Sequence, residues 1–241
     1  MINRLLGSLQ FLTVLPIRRA TASPGESAIF FSPIGALLGA STGAIFQLAA
    51  VGLGRPLSAL VALGWLIAIT GGLHEDGLAD VADAVRAGRT RERIMQILKD
   101  SRIGTYGALA LILSVSMRWQ SLVQSDLSPI TGMAAAVALS RATLVALAGI
   151  APGTGGGLGQ DFARACTPVT IGASVCFAVA ISLLVDLRYA AAMAIADTLI
   201  VLMARAYFVK HLGGVNGDCL GATCQVVETA NMVILAWHPY T

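Results

Sequence analysis

Apolar stretches of roughly 18 to 25 residues recur from one end of this chain to the other, each long enough for a helix to cross the hydrocarbon core of a bilayer. The candidate spans are Ala28 to Leu53, Leu57 to Leu73, Tyr106 to Val123, Thr131 to Ile150, Val169 to Val185, Tyr189 to Val209 and Leu220 to Trp237. The expected fold is therefore all-α: a polytopic integral membrane bundle of about seven helices. Residues 1–241 are read as one membrane domain, because no segment remains that is large enough for a soluble one.

Composition agrees. Of 241 residues, 56% are hydrophobic and 12% charged, where a soluble domain carries about 25% charge. The net charge is +3. Its basic residues flank apolar segments and form no patch with interleaved aromatics, which excludes nucleic acid as a partner and leaves membrane lipid as the anionic neighbour. Cys166, Cys176, Cys219 and Cys224 show no paired spacing, so neither a zinc site nor a disulfide framework is expected. Met1 to Leu15 mixes Arg4, Ser8 and Gln10 with apolar residues before Pro16, which describes an interfacial amphipathic helix better than a signal peptide.

Lysine and arginine set the expected orientation. Arg4, Arg18 and Arg19 precede the first span, and Arg86, Arg89, Arg91, Arg93, Lys99 and Arg102 follow the second, so both segments are assigned to the cytoplasm. Alternation then brings the segments 151–168 and 210–219 to the same face. Small residues crowd Gly35 to Gly43 and Ala190 to Ala196, allowing close helix packing. Arg141, Asp197, Arg205 and Glu228 lie in or near spans, where an unpaired charge is costly, so the bundle should enclose a polar interior.

Chemistry concentrates where the second span ends. His74-Glu75-Asp76-Gly77-Leu78-Ala79-Asp80-Val81-Ala82-Asp83 carries four carboxylates within nine residues. On a helix, Asp76, Asp80 and Asp83 at i, i+4 and i+7 share one stripe. Such an array suits either a hard cation completed by substrate phosphate, as Mg²⁺ prefers, or a solvated helix start paired to nearby arginines. Next, Lys99-Asp100-Ser101-Arg102-Ile103-Gly104-Thr105-Tyr106-Gly107 offers two cations, hydroxyls and glycines for phosphate oxygens, or an ordinary basic flank. His211 to Gly221 adds Gly213, Gly214, Asn216 and Asp218 on the same predicted face. There Asp218 is suited to ligate metal or orient a hydroxyl, unless the segment is simply a loop with a helix cap. His74 is not assigned as a base, since no partner for it is apparent.

Taken together, these three blocks resemble the cobalamin synthase family, also called adenosylcobinamide-GDP ribazoletransferase. The resemblance extends to Ser8-Leu9-Gln10-Phe11-Leu12-Thr13-Val14-Leu15-Pro16, to Phe31-Ser32-Pro33-Ile34-Gly35 and to Ser140-Arg141, nearly the whole chain. It implies a late step of coenzyme B12 synthesis, in which adenosylcobinamide-GDP and α-ribazole or its 5′-phosphate give adenosylcobalamin or its 5′-phosphate and GMP. By the resemblance, Mg²⁺ is the cofactor, and Asp76, Asp80 and Asp83 are its ligands, with Glu75 a fourth. Lys99 and Arg102 clamp phosphate, Gly104, Gly214 and Asn216 contribute to substrate binding, and Asp218 is a base or second-metal ligand. The same resemblance places the chain in a bacterial inner membrane, its active site facing the cytoplasm, and leaves open other corrinoid-pathway enzymes and a second copy of the chain as partners.

Two rival readings stand beside it. A CDP-alcohol phosphotransferase also clusters aspartates at a membrane face, but its pattern places Ala-Arg after DG-x-x, unlike Asp76-Gly77-Leu78-Ala79-Asp80. A cation or corrinoid transporter would hold its acids near the bilayer midplane.

Overall fold

The structure, a computed structural model, describes residues 1–18, 22–87, 90–100, 102–154 and 158–237. Arg19, Arg89 and Ser101, assigned above to basic flanks and the phosphate grip, lie outside the described residues, as does part of the loop 151–168. The described residues form α1 (Ile2–Leu12), α2 (Pro24–Ser27), α3 (Phe31–Thr70), α4 (Leu73–Ala87), α5 (Arg91–Ile97), α6 (Thr105–Gln124), α7 (Pro129–Ile150), α8 (Leu158–Ala165), α9 (Pro168–Ser182), α10 (Leu187–Leu212) and α11 (Gly217–Leu235). Among them there is no strand, only an isolated bridge between Gly153 and Val215.

A helical rod stands at each of the seven expected spans. By length and hydropathy alone, three helices qualify to cross a membrane: Pro24–Thr70, Pro129–Ile150 and Leu187–Leu212. The first of these holds two expected spans, because Gly54, at φ 69° and ψ 164°, breaks α3 into two rods with Pro56 opening the second. Polar residues in α6 and α11 and the 15-residue length of α9 keep those helices below the threshold.

At the hub is α7, which packs on α3, α9, α10 and α11. Its most apolar window is 83% buried, against 22% for α10, so α7 is the central helix and α10 a peripheral one. The α3–α7 seam follows from Gly35, Gly39 and Gly43. A Cβ on each would collide with the backbone of Val137, Met133 and Pro129 in turn, so antiparallel backbones meet along a stripe of hydrogens. At one end of the bundle, Arg55 donates to the carbonyls of Leu122 and Val123 that finish α6. At the other end the polar connections gather: Val215 N–H donates to Pro152 O at 2.8 Å, and Arg91 donates to Thr154. The four cysteines are free.

Candidate functional site

After α3 the chain reverses through Gly71 and Gly72, both left-handed at φ 66° and 68°, and enters α4 with Glu75 and Asp76 in its first turn. The expected stripe of Asp76, Asp80 and Asp83 thus lies on a helix. Gly77 lets that helix touch the start of α11: a Cβ there would sit 3.0 Å from the Asp218 carbonyl oxygen and 3.2 Å from the Ala222 nitrogen. This close approach joins Asp218 to the acids of α4. Asn216 caps α11, accepting from Cys219 N–H at 3.0 Å, while its amide donates to Asp218 Oδ2 at 3.0 Å.

The acids divide by what holds them. Asp83 accepts from Gly104 N–H at 2.7 Å and from Gly107 N–H at 2.9 Å, satisfying the first free donors of α6. Glu75, expected among the metal ligands, pairs with Arg118 at 3.1 Å. By contrast, no hydrogen bond or ion pair from a described residue reaches the side chains of Asp76 and Asp80. Burial, then the charges of Asp76, Asp218 and Asp83, pushes the Asp80 carboxyl up to about 6.

The expected phosphate grip is partly used by the fold itself. Lys99 is exposed. Arg102 is exposed too and forks onto Asp100, with Nη2 to Oδ2 at 2.7 Å and Nε to Oδ1 at 3.0 Å. That guanidinium holds the Asp100 carboxyl at about 2. Gly104 and Gly107 have no room for a Cβ against the Asp83 carboxylate, so their role here is close packing. Gly214, expected at the substrate, abuts the Pro152 carbonyl, and Asn216, expected there too, serves as the cap of α11.

Two cavities meet at Asp76. One, about 590 Å³ and open, runs along Val14, Thr70, Gly71, Asp80 and Ile103. The other, about 220 Å³, lies against His74, Leu144, Phe162, Asp218 and Leu220. Phe11, Leu73 and Asp76 line both.

Behind the site lies a buried ion network. Arg118 bonds Glu228 at 3.0 Å as well as Glu75, and Arg141 pairs with the other Glu228 oxygen. Two guanidinium and two carboxylate groups balance, as burial in a bundle requires. Glu228 and Arg141 were expected to face polar partners. Arg118 was missed, although it is the lone charge inside the third expected span and that isolation was the available signal. Arg205, by contrast, is exposed and donates to the Ile150 carbonyl. His74 was also passed over as a binding group; it is 1% exposed, and neither ring nitrogen has a partner among the described residues.

The chemistry of this donor set fits a hard divalent cation. Carboxylates that face one another without a protein cation raise each other's proton affinity, and a bound ion relieves that repulsion. No group of three or more His, Cys, Asp or Glu among the described residues forms a ready metal cage.

A family model described as Cobalamin-5-phosphate synthase matches residues 4–236. An adenosylcobinamide-GDP ribazoletransferase of Chlorobaculum tepidum is 34% identical over 98% of this chain and 96% of its own length. One of Escherichia coli K12 is 36% identical over 94% of this chain and 96% of its own. No solved structure matches.

Proposed function

Because the chain belongs to the cobalamin-5-phosphate synthase family, we propose that it acts as its relatives are named: an adenosylcobinamide-GDP ribazoletransferase working at a membrane face in cobalamin synthesis. The observation that carries the assignment to this site is the meeting of Asp76, Asp80 and Asp218, each on the wall of one or both adjoining cavities. Two adjoining spaces with carboxylates at their junction allow two substrates to bring their reacting groups together.

In the reaction, a ribose hydroxyl of α-ribazole or its 5′-phosphate attacks the phosphorus that bears the aminopropanol of adenosylcobinamide-GDP. A P–O bond to the ribose forms, the phosphoanhydride bond to GMP breaks, and the hydroxyl proton passes to a carboxylate. Asp218, oriented by the Asn216 amide, is the acid assigned to receive that proton. Mg²⁺, held by Asp76 and Asp80 with Asp83 beside them, would supply neutralisation of the diphosphate charge. Lys99 and Arg102 approach the guanosine phosphates from the α5–α6 connection, Arg102 exchanging Asp100 for substrate oxygens. Asp83 holds that connection in place through its bonds to Gly104 and Gly107.

The basic residues Arg86, Arg91, Arg93, Lys99 and Arg102 on and after α4 favour the cytoplasmic side of a bacterial inner membrane for this end of the bundle. The deciding assay is formation of GMP and corrinoid product by lipid-reconstituted protein given adenosylcobinamide-GDP and α-ribazole 5′-phosphate, with and without Mg²⁺. Both products in equal amounts, dependent on Mg²⁺, are expected. Release of GMP without a coupled corrinoid would refute transfer, and equal rates after exhaustive chelation would refute the metal.

A further inference from the structure

Asp197 of α10, a charge expected inside a span, takes no part in the site or in the buried ion network. It is 5% exposed and bonds Asn231 of α11, which is fully buried. The Asn231 amide donates to Asp197 Oδ2 at 3.3 Å. That bond leaves Oδ1 of the carboxyl and Oδ1 of the amide, both sealed from solvent, without a hydrogen-bond partner among the described residues. No ion pair from a described residue reaches Asp197.

The neighbouring side chains do not complete the bonding. Ala142, Thr143 and Ala146 of α7 and Val175 and Val179 of α9 share a crevice with Asp197 and carry no charge. The hydroxyls there are engaged elsewhere: Thr143 donates to the Ser140 carbonyl and Thr198 of α10 to the Ala194 carbonyl, each at 2.8 Å. An ionised carboxylate with one amide donor and no cation is costly inside a membrane bundle. Protonation removes the charge and turns one carboxyl oxygen into a donor. A carboxylic acid and a primary amide are then complementary. The amide N–H meets the acid carbonyl, the acid O–H meets the amide carbonyl, and both oxygens otherwise left without a partner are used.

We propose that Asp197 is a proton-binding position inside the bundle, carrying its proton on Oδ1 and donating it to Asn231 Oδ1, so that a neutral acid–amide pair clasps α10 to α11. The peripheral α10 ends at Gly213, and α11 starts just after its cap Asn216, with Asp218 in its first turn. The clasp thus ties together the two arms of the hairpin that carries Asn216 and Asp218.

Infrared spectra of the lipid-reconstituted full-length protein at neutral pH read the proton directly. The unaltered protein is expected to show a carboxylic-acid carbonyl band that is lost in Asp197→Asn, a substitution that keeps the shape and neutrality of the acid. Asn231→Leu, which takes the partner away, should move that band upward to the position of an acid with no hydrogen bond, and it serves if Asp197→Asn does not fold. In denaturant unfolding, Asp197→Asn should match the unaltered protein. Asp197→Leu, which leaves the Asn231 amide buried and unpaired, should shift the equilibrium about tenfold toward the unfolded state. If folded Asp197→Asn loses no acid band, or is markedly more stable than the unaltered protein, the carboxylate is ionised and the proposal is overturned. A band unmoved in Asn231→Leu overturns it as well, because the acid is then not bonded to Asn231.

Discussion

Asp80 shows how a single side chain reports its site. Its carboxyl is pushed up to about 6 by burial and by Asp76, Asp218 and Asp83, whereas an unfolded aspartate titrates near 3.8. The folded state therefore binds more protons between those values, and the stability this group contributes is fully present below about 3.8 and lost as pH rises through about 6. In metal-free protein the melting temperature should decline over that window, and Asp80→Asn should flatten the decline; a parallel profile in the variant would remove the assignment. The same substitution should lower turnover by at least about 10²-fold while leaving membrane assembly intact, checked by activity and by elution of the purified protein. Arg102→Lys keeps the charge but loses the planar fork, so KM for adenosylcobinamide-GDP should rise about tenfold. The stripe of acids and the basic segment were legible as residues at fixed spacing. Their separate duties were not, because whether a carboxylate meets a backbone amide, as Asp83 does, or a guanidinium, as Glu75 does, depends on elements far away in sequence.

Among the elements, α6 shows the dependence best. Its N-terminus has no cap from its own sequence, since Gly104 occupies that position, and Asp83 of α4 supplies both acceptors. Asp83→Ala should cost about 1 to 2 kcal/mol through loss of the cap. It should also free the Lys99–Arg102 connection, so that KM for adenosylcobinamide-GDP rises together with the loss of thermal stability; activity that survives at wild-type KM would show the connection to be held by other means. For α11 the local signal was readable: Asn216 before Gly217-Asp218 has the form of an N-cap, and the structure uses it as one. Gly214 was legible only as flexible, and its contact with Pro152 needed the partner loop.

For the whole molecule, the buried network joining α4, α6, α7 and α11 sets both stability and the position of the acids. Arg118 is the only described residue bonded to both Glu75 of the acidic helix and Glu228 of the facing one. Arg118→Ala should destabilise the bundle by about 3 to 5 kcal/mol, because two carboxylates lose their cation in a buried place. Arg118→Met combined with Glu75→Gln should recover part of that loss. Denaturant unfolding in mixed micelles would measure both, and an Arg118→Ala variant as stable as the parent would show the network to be ornamental.

Local pattern by itself determined that this chain is helical and apolar enough to enter a membrane, where the spans lie, and which blocks hold acids, cations and turn glycines. Hydrophobic length, small-residue spacing and cap preference act over a few turns, so they survive in the linear text. Tertiary structure alone decided which acids stay unpartnered, that Arg118 neutralises Glu75, and that the buried His74 ring has no hydrogen-bond partner among the described residues. The physical reason is that a polar group's state in a bundle depends on what packs against it, and the glycine contacts that set helix separation here join residues more than ninety positions apart, Gly39 with Met133 and Gly77 with Asp218.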